Sequence, residues 1–131
     1  MSRARAERAS LRRASFAGID APQSVWEAAD LTGANFQEAK LPHALFLRTK
    51  LDEAVLLKAT ATEASFRRAS LKRARCSRAN LMKARFERAD LTEADFRGAN
   101  LYQAETWRAK TSHVDLVAAN VKGTKLDGKR S

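Results

Sequence analysis

The sequence predicts an all-β solenoid, a chain that turns once every five residues and piles those turns into a rod. Three observations predict it. Alanine recurs at every fifth position, a large apolar residue recurs two positions after the alanine, and glycine occurs only two positions after the apolar residue. The stretch from Ala69 shows the pattern directly: ASLKR-ARCSR-ANLMK-ARFER-ADLTE-ADFRG-ANLYQ-AETWR.

The period of five holds without a frame shift from Ala4 to Leu126. The large apolar position is here the centre, and the residue two before it the small position. Of 26 small positions from Ala4 to Lys129, 20 are Ala; the 25 centres from Ala6 to Leu126 include eleven Leu and six Phe, which sets the frame. Every Phe is a centre: Phe16, Phe36, Phe46, Phe66, Phe86 and Phe96. All four Asn (Asn35, Asn80, Asn100, Asn120) stand one before a centre, and Pro22 and Pro42 stand one after. The glycines Gly18, Gly33, Gly98, Gly123 and Gly128 all stand two after.

A helix does not accommodate this period, although alanine has the best helix propensity. At about 100° per residue, successive centres would step by about 140° and spiral round the axis. A plain strand fails as well, because an odd period sends successive centres to opposite faces. A chain that turns in every repeat satisfies both constraints. The centre and the small position then share one side of a short strand and point inward together. Glycine falls where the chain turns, as its tolerance of positive φ requires. The repeat weakens at 18–25, where Ile19 and Ser24 replace Ala and Ala21 replaces Leu, and again at 106–114; irregular coils are expected there, with the frame intact. Residues 1–131 are expected to form a single domain, a suitable size for one.

The pattern A-[D/N]-L-x-x resembles the pentapeptide-repeat family, and the resemblance covers residues 4–128. It implies a right-handed, four-sided parallel β-helix with four pentapeptides per coil and about six coils, roughly 30 Å long at a strand spacing of about 4.8 Å. Residues 20 apart then stack. Leu11, Leu31, Leu51, Leu71 and Leu91 form one inner ladder, and Trp26, Phe46, Phe66 and Phe86 an aromatic one. Ala21, Leu41, Ala61, Leu81, Leu101 and Val121 form a third, with Leu81 fully buried. Phe16, Phe36, Leu56, Cys76, Phe96 and Leu116 form the fourth, so Cys76 reads as a small core hydrophobe.

The same stacking organises the outside. One corner carries Arg8, Ala28, Arg48, Arg68, Arg88 and Arg108. Between Arg67 and Arg88 nine residues are basic, Arg73 and Arg78 among them, against the single acid Glu87. Like charges stacked this closely repel, so Arg48, Arg68, Arg88, Arg108, Arg73 and Arg78 are expected to meet an anionic partner. Leu45, Leu47, Val55 and Leu57 flank centres at outward positions, with Val25 stacked under Leu45; an apolar patch of this kind suggests a protein interface.

Lys plus Arg is 25 and Asp plus Glu is 15, a net charge of +10 that points to nucleic acid, a membrane surface or an acidic protein face. A single cysteine allows no intrachain disulfide, which suits a reducing cytosol, and no multi-cysteine metal site. Met1 to Glu7 has no apolar core region, so no signal peptide is read and a cytoplasmic location is expected; no apolar run is long enough to span a membrane. His43 and His113, the only histidines, map to different corners and distant coils, so no catalytic triad, metal site or cofactor site is read.

The expected function is therefore a non-catalytic protein-interaction scaffold, since repeat rods present regular binding faces. The alternative is a non-specific binder of nucleic acid or another polyanion through the Arg corner. The resemblance adds two roles: a module of a secretion-system adaptor or effector, and inhibition or protection of DNA gyrase by imitating DNA. The family members of the latter kind are acidic, and a charge of +10 has the wrong sign for mimicry. A β-helix exposes unpaired strand edges at its ends, and no capping helix is recognisable; the chain is therefore expected to self-associate, through an end or the apolar patch, or to join a larger assembly.

Overall fold

A computed structural model describes residues 4–126; Gly128 and the small position Lys129 lie outside the described residues. The chain is a right-handed, four-sided parallel β-helix. Every bridge joins residues 20 apart in parallel, from Arg5↔Val25 to Asn100↔Asn120, so four repeats make one coil. The residue just before each centre is the bridging residue. Asp30 N donates to Ala9 O at 2.9 Å, Leu11 N donates to Asp30 O at 2.8 Å, and Arg13 N donates to Thr32 O at 2.8 Å. Each corner closes with a bond from the next small position back to the centre, as from Ala14 N to Leu11 O at 3.1 Å.

The third residue of every corner from Arg8 to Gly123 has positive φ, 54–61° at the non-glycine positions, as in a type II turn. Most of these residues are not glycine, so each corner carries a left-handed penalty of about 1–2 kcal/mol that the stacked hydrogen bonds must offset. One backbone N–H per repeat, that of the residue after the centre, is left out of the ladder. Where Asp or Asn precedes the centre, Asp20 before Ala21-Pro22 excepted, its side chain accepts that N–H: Asn35 Oδ1 from Gln37 N at 2.9 Å, Asp95 Oδ1 from Arg97 N at 3.0 Å, Asn100 Oδ1 from Tyr102 N at 3.1 Å. This bond explains why Asp and Asn recur at that position.

Centres and small positions form one continuous core. Leu31, Leu51, Leu71, Leu81, Leu91, Trp26, Phe46, Phe66 and Phe86 are all buried; Leu11, in the first described coil, is covered only from the Leu31 side and is half-buried. The aromatic ladder stacks nearly parallel, Phe46 on Phe66 with centroids 5.0 Å apart and Phe66 on Phe86 at 5.0 Å. Trp26 meets Phe36 of the neighbouring side edge-on at 5.4 Å. At 18–25 and 106–114, where the repeat weakens, bridges Asp20↔Lys40, Val25↔Leu45, Asp90↔Lys110 and Asp95↔Asp115 keep the spacing of 20, so the frame is intact. Backbone ladders and corners hold the frame, and they do not depend on the size of the inward side chain. Ala21 fits beneath Leu41, and Ser24 is used by its neighbour Trp26.

Candidate functional site

The corner that follows the aromatic side carries Arg8, Arg48, Arg68, Arg88 and Arg108 at the third turn position, with Ala28 interrupting. Positive φ there projects each side chain off the rod at the same azimuth, one coil above the last. The strand spacing sets their Cα atoms about 4.8 Å apart, and like charges held this near repel by up to roughly 1 kcal/mol per neighbouring pair in water. Among the described residues, none of these five arginines lies within ion-pair distance of an acid. Glu87, beside the row, is taken by Arg85 at 2.7 Å instead.

The next corner shows the contrast. There Glu53, Arg73 and Glu93 stack with alternating sign, and Arg73 reaches Glu93 at 3.2 Å and Glu53 at 4.0 Å. Arg73, grouped by sequence with the anion-binding residues, is therefore internally neutralised. Arg78 stands on a third corner, beside Lys58 and Gly98, where it lines a groove of about 500 Å³ with Leu57, Arg97 and Val117. The structure thus brings Arg48, Arg68, Arg88 and Arg108 together and leaves Arg73 and Arg78 apart. A shift of five residues along the chain moves a side chain one corner round the rod.

The apolar patch needs a similar correction. Val25 is buried at 6% exposure, between Arg5 one coil below and Leu45 one coil above. Leu45, Leu47, Val55 and Leu57 are only half-exposed, each flanked by neighbours above and below. Among the described residues the large hydrophobic ones most open to solvent are Trp107, at 47%, and Val117, at 51%.

Trp107 is the feature that sequence reasoning missed. It precedes Arg108 on the Arg corner, and the guanidinium carbons of Arg88 and Arg108 lie 5.1 and 4.7 Å from its ring centroid. Two cations of the unpaired row thus rest against one solvent-facing indole. The signal was available in the spacing, since Arg88 stacks beneath Arg108 and Trp107 is its chain neighbour.

Other chemistry is sparse. Cys76 is buried, and burial pushes its thiol up to about 12, which leaves no thiolate for nucleophilic work. His43 meets Glu63 at 3.3 Å on the surface. Among the described residues no cluster of three His, Cys, Asp or Glu side chains could hold a metal, and no helix is long and apolar enough to cross a membrane.

Comparison with known proteins agrees with this geometry. The family described as pentapeptide repeat region matches residues 20–96, and that described as pentapeptide repeats (8 copies) matches residues 94–128. The chain is similar to Rfr23, a pentapeptide repeat protein from the cyanobacterium Cyanothece 51142, at 22% identity and TM-score 0.58, over 92% of this chain and 89% of that one. It is similar to HetL, a pentapeptide repeat protein involved in heterocyst differentiation regulation in Nostoc sp. strain PCC 7120, at 22% identity and TM-score 0.55, over 92% of this chain and 71% of that one. A trypsin-treated form of QnrB1, a plasmid-mediated fluoroquinolone resistance protein, matches at 15% identity and TM-score 0.57, over 95% of this chain and 70% of that one. At these identities the likeness is one of fold. No curated protein matches the chain.

Proposed function

The chain belongs to the pentapeptide-repeat family, and from that premise we propose that it is a non-catalytic interaction scaffold that engages an anionic partner through the corner of Arg48, Arg68, Arg88 and Arg108. One observation carries the reading: this corner stacks like charges without an internal acid, while the adjacent corner pairs Arg73 with Glu53 and Glu93. A fold that can alternate signs and does so next door retains here a row whose repulsion an external anion would relieve. The half-buried state of Leu45, Leu47, Val55 and Leu57 makes them a weaker docking surface than the sequence suggested.

The test compares two charge reversals of equal size. Arg68→Glu with Arg88→Glu removes the row; Arg13→Glu with Arg78→Glu alters other corners at the same turn position. Retention on a sulfated-polysaccharide matrix should fall much further for the first pair, and binding should weaken steeply as salt rises. Equal losses would make net charge the whole cause and remove the corner from the explanation.

A further inference from the structure

We infer that the partner of this corner is a single-stranded nucleic acid, with Trp107 as the platform on which one base stacks. The inference rests on the proposed role of the Arg corner and adds the class of ligand. A row of unpaired cations repeating at one azimuth matches a polymer that itself carries charge at regular intervals. A lone exposed indole among arginines offers too little apolar surface to anchor in a lipid headgroup region. Aromatic rings set in a basic track are how sequence-tolerant single-strand binders work, because every base has a π face.

The surroundings of Trp107 divide the labour. Trp107 is 47% exposed, and a base would stack on its ring by displacing a guanidinium of Arg88 or Arg108 from it. Beside it lies a shallow depression of about 360 Å³ walled by Glu105, Thr106, Trp107, Thr124 and Lys125. Glu105 and Lys125 balance one another in that wall, so the depression holds no net attraction for phosphate and suits an uncharged base. Phosphates then belong on the arginines that run down the corner through Arg68 to Arg48. A duplex cannot use this arrangement, because its bases are already stacked and a flat-sided rod does not fill a groove.

The experiment measures binding of a fluorescent oligothymidylate, an abasic strand of the same length, a duplex and anionic phosphatidylserine vesicles, at low and raised salt. The intact strand should bind about tenfold more tightly than the abasic strand, a preference set by base stacking. Trp107→Ala should abolish that preference, while Arg68→Glu with Arg88→Glu should weaken binding of both strands and leave the preference in place. Equal binding of intact and abasic strands by the wild-type chain would overturn the stacking inference and leave the Arg corner as an anion site. Tighter binding to the duplex or to the vesicles would overturn it too. No binding to any of these polyanions at low salt would overturn the inference and the proposed function together.

Discussion

The indole nitrogen of Trp26 donates a 2.8 Å hydrogen bond to the hydroxyl of Ser24, two residues earlier and fully buried with it. A small position that is usually alanine is serine here because the centre it serves is tryptophan, whose indole N–H is carried into the core and needs an acceptor. Ser24→Ala should leave that hydrogen unpaired and cost about 1–3 kcal/mol. Adding Trp26→Phe should recover part of the loss, since the ring no longer needs a partner. Chemical denaturation of the single and double variants reads the coupling; strictly additive losses would count against it.

The stacked centres should carry most of the stability. Leu81 is 1% exposed between Ala61 and Leu101, and Leu81→Ala should cost about 2–5 kcal/mol. Lys83→Ala, two residues on at an exposed corner, should shift stability by about 0.5 kcal/mol or less. Thermal melting of the two variants checks the frame, and similar midpoints would refute it.

Corners should differ in their tolerance of a side chain. At Gly18 a Cβ would meet nothing within 4 Å, so Gly18→Ala bears only the cost of positive φ, about 1 kcal/mol. At Gly123 the Cβ would come within 3.0 Å of Gln103 Cγ, the residue one coil below. Gly123→Ala should therefore lose more than Gly18→Ala in the same denaturation assay.

Acid should weaken the rod through its corner carboxylates. Hydrogen bonds from Arg97 hold Asp95 below the usual carboxylate range, and the Thr32 hydroxyl does the same for Asp30. A carboxyl whose folded pKa is depressed stabilises the fold above its unfolded value near 4, and that contribution is lost as the pH falls through the folded value. Stability should thus drop below about pH 4. Asp95→Asn keeps an oxygen for the Arg97 N–H but cannot titrate, so its profile should be flatter over that range. Their partners Arg12 and Arg97 are more than half exposed, so solvent screening keeps each contribution small.

Much of this architecture was legible because a period of five assigns every side chain a direction. The inner ladders and the Arg corner follow from position alone. Arg73 was misgrouped because the count ran along the chain, whereas its neighbours in space are Glu53 and Glu93, each 20 residues away. Val25 was read as outward because it precedes a centre. That position is the bridging one, sandwiched between coils, and a β-branched side chain there is covered by its stacked neighbours. Trp107 went unremarked because the sequence between Glu105 and Arg108 looks like a decayed repeat; only the fold shows two arginines resting on it.

The register of 20 residues makes the surface of this rod rewritable in units of one repeat. A pentapeptide inserted after Lys58 would keep alanines and centres pointing inward, yet it would rotate everything downstream by a quarter turn. Arg68, Arg88 and Arg108 would move together to a new azimuth and part company with Arg48. Insertions and deletions, which usually threaten a core, act here like the dial of a combination lock: they realign outer columns against one another while the interior stays sealed. A lineage of such chains can therefore change what it binds by miscopying a single repeat.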